Sequence, residues 1–169
     1  KWKSSGNAAK LFLNCSPYLI EHSKFDGSVF TKEGMEPHRT VLELTERMAI
    51  VDYASFIEKI NNFKKLKVSI TIDVVGCGFA SLDAVAEIKP EYVKIDMPLV
   101  RDIHTDGVRQ SIVEAIMVFC KKCNIMAVAE GIEKKEELEK VFELGVEAGQ
   151  GYLLARPNQD LVSTSDVRL

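Results

Sequence analysis

The sequence predicts an α/β fold of parallel strands joined by crossover helices, and three observations lead there. Short runs rich in β-branched and aliphatic residues alternate with helical patterns along the chain. A polar residue closes almost every one of these runs. No G-x-G-x-x-G turn follows the first run, which argues against a dinucleotide-binding sheet. The choice left by the alternation is between a doubly wound open sheet and a (β/α)8 barrel.

Leu11-Phe12-Leu13 reads as the first strand and ends at Asn14. Val41-Leu42-Glu43-Leu44 is the second; Glu43 and Thr45 share a face, and Glu46 follows. From Asp52 onward, Phe56, Ile57, Ile60 and Phe63 fall on one side of a helix. The third strand, Val68-Ser69-Ile70-Thr71-Ile72, ends at Asp73. Val74-Val75-Gly76-Cys77-Gly78-Phe79 then forms a loop in which the two glycines permit a tight turn. Leu82, Val85, Ala86 and Ile88 suggest a short helix that stops before Pro90.

Tyr92-Val93-Lys94-Ile95 is the fourth strand, with Lys94 and Asp96 at its end. A helix after Asp106 carries Val108, Ile112, Ala115, Ile116 and Phe119 on one face. Ile112, Val113, Ile116 and Met117 make it apolar on more than one face, which suits core packing or a dimer contact. Ile125-Met126-Ala127-Val128-Ala129 is the fifth strand, closed by Glu130. Leu138, Val141 and Phe142 pattern the helix after Glu133, and Gly145 is its stop. The weakest strand, Gly151-Tyr152-Leu153-Leu154, is preceded by Gln150.

Composition bounds the function. The chain has 169 residues, 22 basic against 25 acidic, for a formal charge of −3. That balance disfavours binding of a nucleic acid polymer, which needs a basic surface. No apolar run approaches the ~20 residues of a membrane span, and no signal peptide opens the chain. Cys15, Cys77, Cys120 and Cys123 are irregularly spaced for a disulfide framework, which suits reduced thiols in a cytosolic domain. Cys120-Lys-Lys-Cys123 sits in a helical pattern and reads as two small buried residues rather than a redox or zinc pair.

The strand ends carry the chemistry. Carboxylates inside a sheet are costly unless compensated, and gathered at the C-terminal mouth of a barrel they would converge on one site. Asn14, Glu43, Asp73 and Glu130 form an oxygen set that suits a hard divalent cation such as Mg²⁺ or Mn²⁺. Lys94 adds a positive group that would orient a phosphate or a water.

The order Glu43-Leu44-Thr45-Glu46, Asp73-Val74-Val75-Gly76-Cys77-Gly78-Phe79-Ala80-Ser81-Leu82, Tyr92-Val93-Lys94-Ile95-Asp96, Ala129-Glu130-Gly131-Ile132-Glu133 and Gln150-Gly151-Tyr152-Leu153-Leu154-Ala155-Arg156-Pro157 resembles EAL domains, the bacterial cyclic-di-GMP phosphodiesterases. Asn14-Cys15-Ser16-Pro17 is similar to the family's Asn-x-Ser-Pro segment. The resemblance runs from about Leu11 to Pro157, so residues 1–169 read as one partial EAL-like domain. It implies a TIM-like (β/α) barrel, incomplete here, with about six of eight strands and the N-terminal ones missing. It also implies hydrolysis of cyclic-di-GMP to pGpG by two Mg²⁺ or Mn²⁺ ions. By position, Asn14, Glu43, Asp73 and Glu130 resemble the metal ligands. Lys94 resembles the lysine that positions the attacking water, and Glu133 and Gln150 resemble water-orienting residues. Glu46 resembles the glutamate that anchors the glycine loop; Asp96, Gly76, Gly78, Arg156 and Pro157 would line the site. The resemblance further implies a homodimer in the bacterial cytoplasm, with an upstream sensory or GGDEF-type domain.

Two departures from the family pattern bear on activity. The family has two adjacent aspartates after the third strand, whereas Val74 here follows Asp73. Valine has no lone pair to offer a metal. The Glu-Ala-Leu segment itself is expected to lie N-terminal to Lys1, the chain being a fragment of a longer protein or, alternatively, a natural remnant without it. The glycine loop also differs, with Cys77, Phe79 and Ala80 in place of the usual small residue, tyrosine and serine. These departures favour an impaired enzyme acting in binding or regulation. An active phosphodiesterase and a ligand-free interaction scaffold are the alternatives.

Overall fold

The structure, a computed structural model, describes residues 9–22, 25–44, 52–75 and 82–158, without the side chains of 31, 73–75, 82 and 83. By its internal contacts the chain divides into two units, one of residues 2–73 with 78–91, the other of residues 1, 74–77 and 92–169.

In the first unit β1 (Leu11–Cys15), β2 (Thr40–Leu44) and β3 (Ser69–Val75) lie side by side in sequence order. Both pairings are parallel, with Asn14 opposite Glu43 and Glu43 opposite Thr71. Parallel neighbours need a crossover, and α1 (Pro17–Glu21), α2 (Ser28–Lys32), α3 (Tyr53–Lys65) and α4 (Leu82–Ile88) lie in the connections. Alternation along the strands then separates two faces. Cys15, Leu42, Leu44, Ile70 and Ile72 point into an apolar core with Phe30, Phe56, Ile60 and Phe63. The opposite face carries Asn14, Glu43 and Thr71 as one row across three strands.

Local chemistry explains the helix ends. Ser16 caps α1, its hydroxyl accepting from the Leu19 N–H at 3.3 Å, and Pro17 occupies the first turn, where an N–H has no partner to lose. Asp52 caps α3 by accepting from the Ser55 N–H at 3.0 Å. Near the start of a strand, an N–H that the ladder does not serve needs an acceptor from outside it. Glu91 supplies it to β3, accepting from the Ile70 N–H at 2.8 Å, while Lys64 holds the same carboxylate at 3.0 Å.

The second unit repeats the plan with β4 (Tyr92–Ile95), β5 (Met126–Ala129) and β6 (Ala148–Gly149), again parallel and in order. Its helices are α5 (Met97–Val100), α6 (Gly107–Cys123) and α7 (Lys135–Glu143). Glu147 plays the part of Glu91, accepting from the Ala127 N–H at 2.9 Å. Asp106 caps α6 through the Val108 and Arg109 N–H groups, and Asn124 ends it in the left-handed conformation. Gly151 is required by close approach: a Cβ there would stand 2.1 Å from the Ile132 carbonyl oxygen. No helix among the described residues is long and apolar enough to cross a membrane.

Several sequence expectations are corrected. The sixth strand is Ala148–Gly149 and residues 151–154 form a turn, so Gln150 closes that strand instead of preceding it. β1 and β3 run on past their apolar cores, so Asn14 and Asp73 sit within strands; pairing with neighbours, not hydrophobicity, sets where a strand stops. On α6 the buried residues are Val113, Met117 and Cys120, while Val108 is 71% exposed and Ile112 and Ala115 are exposed as well. The helix has two apolar faces and periodicity alone does not say which is covered. On α7, Leu138 and Val141 are buried and Phe142 is exposed. Of the Cys-x-x-Cys pair only Cys120 is buried; Cys123 is exposed, and both thiols are free. Burial, with Glu147 and Cys123 nearby, pushes the Cys120 thiol up to about 11, so it stays protonated at neutral pH. The short α1, α2 and α5 leave no mark in the sequence pattern, because about one turn of helix is too brief for a period to register.

Candidate functional site

In the first unit the row Asn14, Glu43, Thr71 faces away from the helices. Asn14 is exposed and Glu43 half-buried. Thr71 is fully buried, and its hydroxyl has no hydrogen-bond partner among the described residues. Asp73 follows Thr71 two residues along β3, which places it on the same face; its side chain and that of Val74 lie outside the described residues. Glu46, Gly76 and Gly78 also lie outside them.

In the second unit Lys94, Glu130 and Gln150 meet. The Lys94 ammonium and the Gln150 amide both donate to Glu130 Oε1. Lys94 is 3% exposed on β4, and a buried ammonium needs a carboxylate partner. The strand ladder sets this up: the Glu130 N–H donates to the Ile95 carbonyl at 2.9 Å and the Gln150 N–H to the Ala129 carbonyl at 2.8 Å. Those two bonds carry the register one residue beyond β5 and β6 and bring the side chains side by side.

Beyond the triad lies a cavity of about 540 Å³ lined by Met97, Glu133, Gln150, Tyr152, Arg156 and Pro157 among others. The Arg156 guanidinium stacks over the Tyr152 ring at 4.8 Å. Glu133 pairs with Arg101 at 3.3 Å, so it belongs to this rim. Asp96 is turned to structure: its carboxylate caps α5 through the Met97 N–H at 2.7 Å.

Three residues here were not singled out from sequence. Arg101 partners Glu133. Glu137, 1% exposed, accepts from the backbone N–H groups of Asp102 at 2.9 Å and of Glu133 and Lys134 at 3.0 Å each. Burial acts to raise its pKa, but these three donors and Lys134 outweigh it and hold the carboxyl below its ordinary range. Glu137 stands three residues after Lys134, the capping-box spacing, but a lysine at the cap position hides the signal. Thr71 is the third; its place two residues before Asp73 was readable from strand periodicity.

Comparison with known proteins places the chain in a family. The EAL domain family matches residues 1–157. The chain belongs to the EAL-domain family. It is 33% identical over 120 residues to the blue light- and temperature-regulated antirepressor BluF of Escherichia coli, covering 71% of this chain and 30% of that protein. It is 30% identical over 160 residues to the cyclic di-GMP phosphodiesterase PdeR of the same organism, covering 93% of this chain and 24% of PdeR. The chain thus spans under a third of the length of these relatives. Among solved structures, Klebsiella pneumoniae BlrP1 in its calcium and cyclic-di-GMP complex superposes with a TM-score of 0.80 at 30% identity, over 89% of this chain and 39% of that one. The fold is therefore the TIM-like barrel of EAL structures, with six strands described where a closed barrel has eight. Divalent cations occur with cyclic-di-GMP in these EAL structures, which include a manganese complex of BlrP1.

The donors fit such a cation. Oxygen ligands suit Mg²⁺, Mn²⁺ or Ca²⁺, and the row Asn14, Glu43 and Thr71 contains a buried hydroxyl still lacking a partner. Among the described residues no three His, Cys, Asp or Glu side chains converge, Asp73 being outside that set.

Proposed function

We propose that this chain is a cyclic-di-GMP signalling module that binds the dinucleotide or relays its presence, and hydrolyses it poorly or not at all. The observation that carries this reading is Asp73-Val74, where the family pattern has two aspartates. One of the few charged ligands that hold a metal pair is thereby replaced by an isopropyl group. Asn14, Glu43, Asp73 and Glu130 would hold Mg²⁺ or Mn²⁺, which when bound supplies charge neutralisation at phosphorus and an activated water. The chain's own residues do the rest. Lys94 and Gln150 fix the Glu130 carboxylate, while Arg156 brings positive charge to the cavity that would receive a phosphodiester. The antirepressor among the relatives supports a regulatory role within this family. A homodimer, a cytoplasmic setting and an attached GGDEF-type or sensory domain belong to the same proposal.

The second reading is an active phosphodiesterase, favoured by the intact contact of Lys94 and Gln150 with Glu130. One paired experiment separates the two. Turnover of cyclic-di-GMP to pGpG with Mn²⁺ is measured for the chain as it stands and for Val74→Asp. Calorimetry with cyclic-di-GMP runs alongside. The proposal expects binding heat with background turnover, and a gain of turnover in Val74→Asp. Turnover well above background that Glu43→Gln abolishes would establish the active enzyme. A flat calorimetric trace would leave an interaction scaffold.

A further inference from the structure

We infer that the Thr71 hydroxyl is a metal-site positioning group of this chain, donating to the Glu43 carboxylate or joining the oxygen shell when a divalent cation is bound. The inference rests on the metal reading above. It starts from an anomaly: Thr71 is 0% exposed, yet its Oγ1 has no hydrogen-bond partner among the described residues. A hydroxyl buried without a partner costs roughly 1–3 kcal/mol, and native proteins seldom leave one so. An apolar residue of the same shape, valine, would fill the same volume on a strand without that cost.

Position says what the missing partner is. Thr71 is not in the apolar core, which takes the alternate residues Ile70 and Ile72. It is on the opposite face, directly opposite Glu43 in the parallel register, and Glu43 is opposite Asn14. Parallel strands lie ~4.8 Å apart, so a threonine hydroxyl and a neighbouring carboxylate on one face are within reach of each other. Asp73 follows two residues on along the same strand. A hydroxyl that donates to a ligating carboxylate fixes its orientation, and losing such a partner typically weakens metal affinity ~10–100-fold. In this chain the device has a further use, because Val74 brings no oxygen to the site.

The test is Mn²⁺ binding to the full chain, followed by electron paramagnetic resonance of the free ion, for wild type, Thr71→Val and Thr71→Ser. Thr71→Val is expected to bind ~10–100-fold more weakly, and Thr71→Ser to stay within about threefold of wild type. Without metal, Thr71→Val is expected to melt at or above wild type, since it removes an unsatisfied hydroxyl. Added Mn²⁺ should then raise the melting temperature of wild type more than that of the variant. Equal Mn²⁺ affinity in wild type and Thr71→Val overturns the inference and leaves the metal reading standing. A metal-free Thr71→Val that melts well below wild type also overturns it, because the hydroxyl then has a partner within the fold. Failure of the wild-type chain to take up Mn²⁺ overturns the metal reading and this inference together.

Discussion

Glu137→Ala is expected to be among the most damaging single changes in the second unit. The wild-type carboxylate is 1% exposed and collects the N–H groups of Asp102, Glu133 and Lys134 at 2.9–3.0 Å. It thereby ties the turn after α5 to the loop between Glu130 and α7. Alanine leaves these donors without an acceptor, at ~1–3 kcal/mol for each one that stays dry. Water entering the space left by the side chain offsets part of this, so the expected loss is about 3–5 kcal/mol. For a domain of this length that corresponds to a drop in Tm of roughly 10 °C. Glu137→Gln keeps one acceptor oxygen and should lose about half as much. Urea unfolding followed by circular dichroism measures both. A loss below about 1 kcal/mol for Glu137→Ala would refute the clamp. The pH dependence gives a second check. The folded-state pKa is lowered, so this group's stabilisation is complete above its unfolded value of ~4.3 and fades as pH falls below it. Wild type should therefore lose stability more steeply than Glu137→Gln on acidification below that point.

Lys94→Met removes the ammonium held by Glu130 and should cost about 3 kcal/mol in urea unfolding, with the double change to Lys94→Met and Glu130→Gln recovering part of it. Glu147→Ala frees the Ala127 N–H at the start of β5 and should cost about 1–2 kcal/mol by the same assay. Gly151→Ala sets a methyl against the Ile132 backbone and should lower Tm by several degrees, roughly 2 kcal/mol or more, because the obstacle is main chain and cannot swing aside. Arg156→Ala should weaken cyclic-di-GMP binding in calorimetry while leaving Tm within about 2 °C, since both Arg156 and Tyr152 are exposed.

Much of the fold was legible because strands and long helices carry their period in the residue types. Five strands, α3, α6 and α7 follow from apolar patterning and from the caps Asp52 and Asp106. The site was legible as a set of polar residues closing apolar runs. Their grouping was less so. That Gln150 follows β6 and reaches Glu130 depends on the hydrogen bonds its backbone makes to Ala129, which no local pattern encodes. Which face of α6 is covered depended on neighbours, since both faces are apolar.

The sequence by itself determined the family, the barrel-type order of strands and the valine that follows Asp73, because those reside in residue identity and spacing. The tertiary structure decided what those residues touch. It turned Asp96 into a helix cap, gave Lys94 and Gln150 one shared carboxylate, and made Glu137 the clamp of two loops. It also left the Thr71 hydroxyl buried opposite Glu43 with no partner among the described residues. The reason is physical. A polar side chain's role is set by which donors and acceptors burial leaves within about 3 Å of it, and that distance exists only once strands from distant parts of the chain are in register.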